Sequence, residues 1–96
     1  MYEIIASNTF SRWFDKIKDR QARFAVAQHL DRMAKGNFGV TRQVAGDIYE
    51  KKINVSGGYR VYYFIKKGHL IFLLCGGTKR TQRRDIEKAR ELRGET

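Results

Sequence analysis

"GGYRVYYFIKKGHLIFLLCGGTKRTQRRDI", residues 57–86, holds two runs of β-branched and aromatic residues separated by "KKGH". Runs of that length and composition read as strands, over 59–66 and 69–75, and a link of four residues containing glycine suits an antiparallel hairpin. The second run stops at Gly76-Gly77, and the seven residues Thr78 to Arg84 that follow carry four positive charges. A third strand is expected just upstream at 47–54, joined to the first run by "VSGG" (55–58). Side chains alternate across a strand, so Tyr59, Val61, Tyr63 and Ile65 share one face while Arg60, Tyr62 and Phe64 share the other. On 47–54 the same rule puts Tyr49 and Ile53 on the covered face and Glu50, Lys52 and Asn54 on the open one. Lys51 breaks the pattern: either it snorkels at the sheet edge or the register is shifted by one.

Working outward, "YEIIA" (2–6) reads as a short strand, and Ser7 or Asn8 can cap a helix after it. Phe10, Trp13, Phe14 and Ile17 follow at helical spacing and form one apolar stripe. Asp19 opens a second helix whose inner face is Ala22, Val26, Leu30 and Met33, ending near Lys35-Gly36. Residues 36–46 are polar and glycine-punctuated and read as a loop. Ile86, Ala89 and Leu92 mark a C-terminal helix. The expected order is β-α-α-β-β-β-α, an α+β fold in which an N-terminal helical hairpin packs on one face of a small antiparallel sheet.

Ninety-six residues support one core, so residues 1–96 are read as a single domain. No apolar run approaches the ~18 residues of a membrane span, and no secretory pattern opens the chain. A cytoplasmic protein without a membrane partner is expected. Cys75 stands alone within an apolar strand and reads as a reduced core residue. Twenty Lys+Arg against ten Asp+Glu give a net charge of +10, unevenly spread: residues 1–34 carry +2 and residues 35–96 carry +8. Such a field draws polyanions, nucleic acid foremost.

With this register, Lys52, Arg60 and Tyr62 stand on the uncovered face, and Lys79, Arg80 and Arg83 leave the end of the third strand to close it. A basic concave sheet bearing an aromatic suits single-stranded nucleic acid. RNA carries its own nucleophile, the 2′-hydroxyl. Cleavage then requires in-line positioning, a base, positive charge for the phosphorane and an acid for the 5′-oxygen. Other chemistries are poorly supplied. His29 and His69 lie on different elements, the carboxylates lack metal-ligand spacing, one cysteine makes no zinc site, and no phosphate-loop motif is present. No metal or cofactor is expected, which leaves a metal-independent ribonuclease or a plain binder.

"GGYRVYY" (57–63) followed by "LIFLLCGGTKRTQRRDIEKA" (70–89) resembles the RelE/ParE toxin superfamily, in particular its HigB-like addiction module killer branch. There a G-Y-R-V-Y strand precedes L-L-x-G-G-x-K-x-x-Q-x-x-D-I, and "EKKI" (50–53) resembles a further segment of that branch. The resemblance implies a toxin of a type II toxin–antitoxin pair, an endoribonuclease that cuts mRNA in the ribosome and inhibits translation. It also implies a cognate antitoxin, in this branch a small helix-turn-helix DNA-binding protein. By position, the resemblance assigns Arg60 to the scissile phosphate, Lys52 or Lys79 to base or charge stabilisation, and Gln82 to substrate orientation. Tyr62, Arg80, Arg83 and Arg84 are the expected RNA contacts. Two departures stand out. Lys51 occupies a position that is usually apolar, and residues 83–88 offer no counterpart of the catalytic tyrosine of the RelE branch, leaving the acid to a lysine, Tyr62 or the ribosome. The alternatives are a ParE-like inhibitor of DNA gyrase and a non-catalytic nucleic-acid-binding module. In the ribonuclease reading, Gly76-Gly77 ends the strand where a backbone must come close, and "TKRTQRR" lines the rim of the cleft.

Overall fold

The computed structural model describes residues 1–96. Strand β1 (Glu3–Ala6) leads into helices α1 (Asn8–Asp15) and α2 (Arg20–Ala34). Strands β2 (Thr41–Ala45), β3 (Ile48–Ile53), β4 (Tyr59–Lys66) and β5 (Leu70–Thr78) follow, then a 3₁₀ turn (Lys79–Thr81) and helix α3 (Gln82–Gly94). Both early helices start as their sequences suggest. The Ser7 side chain accepts from the Phe10 N–H at 3.0 Å, and Asp19 accepts from the N–H groups of Gln21 and Ala22.

The five strands form one sheet in the order β1-β5-β4-β3-β2. It differs from the expected sheet in three ways. β1 runs parallel to β5, so the sheet is mixed. Residues 41–45 are a strand and not loop: β2 pairs antiparallel with β3 across a turn in which Gly46 has φ +53°. Its sequence, Thr-Arg-Gln-Val-Ala, is polar because β2 is an edge strand covered on one side only, which hides the apolar signal of a strand. The third difference concerns β5, which continues through Gly76 and Gly77 to Thr78.

Two apolar cores flank the sheet. Phe10, Ile17, Ala22, Val26 and Met33 of the helical hairpin meet Ile53, Val61, Tyr63, Ile71 and Leu73 on one face. Ile48, Tyr62, Phe64, Leu74 and Cys75 face the other way and pack on Ala89, with Ile86 and Leu92 alongside. The helices are therefore not confined to one face; α3 covers part of the face expected to be open. A register shift opposite Tyr62/Tyr63 inserts Leu74 as an extra residue in β5 and reverses its facing beyond that point. Gly76 consequently faces α1, where a Cβ would strike the Trp13 ring, and Gly77 faces α3, where a Cβ would strike Asp85 and Thr81. The double glycine thus admits two neighbouring side chains of the protein itself, in place of the ligand approach expected from the sequence.

Lys51 keeps the register. It points to the helical-hairpin face with Tyr49 and Ile53, only 2% exposed, its Nζ against Gly39. Burial, then the charge of Arg32, holds its pKa below the ordinary lysine value. Cys75 is a free, buried thiol, pushed up to about 12 by burial and by the charge of Asp85.

Candidate active site

α3 covers the Tyr62–Phe64 end of its face and leaves the end occupied by Lys52 and Arg60 open. These two residues are directly opposite one another across β3 and β4. Two clefts meet at this pair. One, of about 470 Å³, is lined by Lys52, Asn54, Ser56, Gly57, Gly58, Arg60 and Lys79. The other, of about 350 Å³, is lined by Thr41, Arg42, Glu50, Lys52, Arg60 and Gln82. The four residues the resemblance assigned to catalysis therefore converge here from β3, β4, the 3₁₀ turn and α3. The wall between β3 and β4 is a tight turn in which Ser56, Gly57 and Gly58 all have positive φ. The Ser56 hydroxyl donates to the Asp19 carboxylate at 2.5 Å, which ties this wall to the start of α2.

Lys52 and Lys79 are exposed, whereas Arg60 is 7% exposed and reaches its position from a buried stem. Its Nη1 lies beside Gly58. Its Nε has no hydrogen-bond partner and sits 3.6 Å from a Glu50 oxygen, which orients the guanidinium without consuming its outer donors.

Glu50 is the residue that the sequence did not single out. It is 4% exposed and receives donors from three elements. Oε1 accepts from Arg42 Nε of β2 at 3.0 Å; Oε2 accepts from Tyr62 Oη of β4 at 3.0 Å and from Gln82 Nε2 of α3 at 2.7 Å. Burial pushes the carboxyl up, but the hydrogen bonds from Gln82, Arg42 and Tyr62 outweigh it, and its pKa lies below the ordinary glutamate value. A carboxylate so occupied is a poor base and a good anchor. The available signal was that Glu50 falls on the same face as Lys52, in the motif "EKKI". Arg42 was hidden with its strand.

Tyr62 requires a correction. Fully buried, its ring belongs to the core beneath α3, and its hydroxyl donates to Glu50. Burial, then the Glu50 charge, raises its pKa; with its ring enclosed and its hydroxyl bonded to Glu50, it presents no face on which a base could stack. Arg80, Arg83 and Arg84 are exposed, but they line neither cleft. Of "TKRTQRR" only Lys79 and Gln82 line the clefts: Arg80 on the 3₁₀ turn and Arg83 and Arg84 on α3 are exposed elsewhere, and Thr81 turns to Asp85. At the start of α3, Asp85 accepts from the Thr81 hydroxyl. Burial raises the Asp85 pKa against the opposing effects of that bond and of Arg84.

Residues 12–93 match the family described as phage-derived protein Gp49-like. An uncharacterized protein of Haemophilus influenzae is 39% identical over 90 residues, spanning 94% of this chain and 91% of that protein. Among solved structures, the isolated RelE toxin of E. coli aligns with a TM-score of 0.66 at 15% identity, covering 92% of this chain and 98% of that one. RelE in the intact E. coli RelBE toxin–antitoxin complex aligns with a TM-score of 0.64 at 17% identity, covering 81% and 96%. A mutant E. coli RelE in complex with a peptide of its antitoxin gives 0.63 at 18%, covering 90% and 92%. The chain shares the RelE fold.

Proposed function

The chain belongs to the family of phage-derived Gp49-like proteins, and from that premise we propose that it is the toxin of a type II toxin–antitoxin pair, acting as a ribosome-dependent mRNA endoribonuclease. The observation that carries the reading is the convergence of Lys52, Arg60 and Lys79 on two adjoining clefts in which Glu50, already held by three donors, is the sole carboxylate. Such a cleft attracts phosphate and offers positive charge to a phosphorane.

In this mechanism Arg60 receives the scissile phosphate from a fixed direction, and Lys52 and Lys79 flank it. The 2′-hydroxyl gives up its proton as its oxygen attacks phosphorus in line, the 5′-oxygen takes up a proton as its bond to phosphorus breaks, and a 2′,3′-cyclic phosphate and a 5′-hydroxyl result. The cations stabilise the negative charge gathered on the phosphorane oxygens, which is the largest contribution such a site can make. The partner is a co-encoded antitoxin, which in the HigB-like branch would be a small helix-turn-helix protein. The setting of both is the cytoplasm. E. coli RelE, whose fold this chain shares, is held in its complexes by an antitoxin.

The test is induced expression of wild type, Arg60→Ala and Lys79→Ala in bacteria, with mRNA 5′ ends mapped within minutes. New ends inside translated codons are expected from wild type. They should fall by about 10²–10³-fold in Arg60→Ala, the cost of one lost donor to the transition state. Lys79 is exposed, so its variant tests the cleft without disturbing a buried group. Growth arrest with intact mRNA and broken DNA would instead place the protein with the gyrase inhibitors.

A further inference from the structure

We propose that Glu50 is a positioning residue that fixes which side of the Gln82 amide meets the cleft, and that the Gln82 Oε1 so presented accepts the 2′-hydroxyl of a bound ribonucleotide. This makes the cleft select RNA over DNA. The inference rests on the reading of the cleft as a site for single-stranded nucleic acid.

An ionised carboxylate can only accept hydrogen bonds, and each of the three groups bonded to Glu50 is a donor. The Gln82 amide must therefore turn its NH₂ toward Glu50 Oε2, 2.7 Å away. The opposite orientation would set two acceptor oxygens against each other at that distance. Oε1 is thus the side of the amide turned away from Glu50, and Gln82 lines the cleft together with Arg60 and Lys52.

An acceptor is out of place among cations gathered for phosphate, because a phosphodiester offers only acceptors. The group it can serve must be a donor. On the backbone of single-stranded nucleic acid that donor is the 2′-hydroxyl, which RNA has at every residue and DNA lacks. Base edges also carry donors, but these change with sequence, whereas a 2′-hydroxyl adjoins each phosphate that Arg60 and Lys52 attract. Glu50 acts through Gln82 and contacts no ligand itself.

The test uses the full chain and six-nucleotide single strands of one sequence with ribose, 2′-fluoro or 2′-deoxy sugars, by fluorescence anisotropy at low temperature, with strand integrity checked by gel. Fluorine keeps the ribose-like pucker but removes the donor proton. Wild type is expected to bind the ribose strand about threefold to tenfold more tightly than the 2′-fluoro strand, the range of one net hydrogen bond. The ratio is the readout, since a loss of overall affinity also follows from any structural damage. It should fall to unity in Gln82→Met, a substitution of similar volume at a half-exposed helix position. In Glu50→Gln it should fall as well, because a neutral amide at position 50 lets Gln82 turn either way. No discrimination in wild type would overturn the proposal. So would discrimination that survives Gln82→Met. Discrimination lost in Gln82→Met but intact in Glu50→Gln would remove the positioning role. Failure to bind any strand would instead bring down the nucleic-acid reading beneath it.

Discussion

At the scale of single residues, Glu50 sets both the shape of the site and its response to acid. Its folded pKa lies below its value in the unfolded chain, so the ionised form contributes stability that is present above about pH 4.3 and is lost as pH falls through the folded value. Glu50→Gln removes that contribution. Urea denaturation should show the variant less stable than wild type at pH 7 by about 1–3 kcal/mol, the range for hydrogen bonds to a buried charged group. The gap should narrow steadily below pH 4. A gap unchanged at pH 3 would mean that the carboxylate charge is not what holds Arg42, Tyr62 and Gln82. Gly76 poses a different constraint at the same scale. Its φ is ordinary, and what excludes a side chain is the Trp13 ring lying over it. Gly76→Ala should cost about 1–3 kcal/mol by overpacking, with the tryptophan fluorescence of the folded state altered, since Trp13 is the single tryptophan.

At the scale of elements, legibility followed periodicity. The stripe Phe10–Trp13–Phe14–Ile17 encodes one apolar face and the alternation through Tyr59–Ile65 a strand; β4 forms where the sequence puts it, and α1 forms too but ends at Asp15, leaving Ile17 in the core just beyond it. Edge strand β2 escaped because an element buried on one side leaves too few apolar positions to read in five residues. The placement of α3 escaped for another reason. With only Ala89 fully buried and many charges around it, its sequence does not reveal which side of the sheet it joins. That one placement hid the burial of Tyr62 and the Gln82–Glu50 contact, while the Lys52–Arg60 pairing, set by strand register alone, could be read. In β3, Lys51 is an exception with consequences. Its cation is buried, with no carboxylate among the charges that shift it. Because its folded pKa is depressed, the fold bears a penalty at neutral pH that is relieved as pH rises toward the unfolded value of about 10.4. Lys51→Met should therefore stabilise the protein at pH 7 by about 1–3 kcal/mol, as replacing buried charge by apolar volume often does. The advantage should shrink as pH approaches 10, which chemical denaturation across that range would measure.

At the scale of the molecule, charge is divided between regions as well as being large. Residues 35–96, which supply every residue of the two clefts, carry +8 of the net +10, while residues 1–34 carry +2. Two sets of cations in the later region are set apart by geometry, with Arg42, held by Glu50, also lining the second cleft. Lys52, Arg60 and Lys79 surround the clefts; Arg80, Arg83 and Arg84 stand outside on the 3₁₀ turn and α3. The two sets should separate by their dependence on salt and strand length. Each phosphate neutralised on a single strand contributes about −0.7 to the slope of log K against log salt. Lys79→Ala should reduce the slope by about that amount for a six-nucleotide strand, because Lys79 lines the cleft itself. Replacing Arg80, Arg83 and Arg84 together by alanine should leave the six-nucleotide slope unchanged. On a strand about twice as long, which continues from the cleft across α3, the same replacement should reduce the slope by about 2. If the triple variant leaves both slopes untouched, the outer arginines serve a surface other than RNA, and the acidic segment of a protein partner becomes the ligand to test against them.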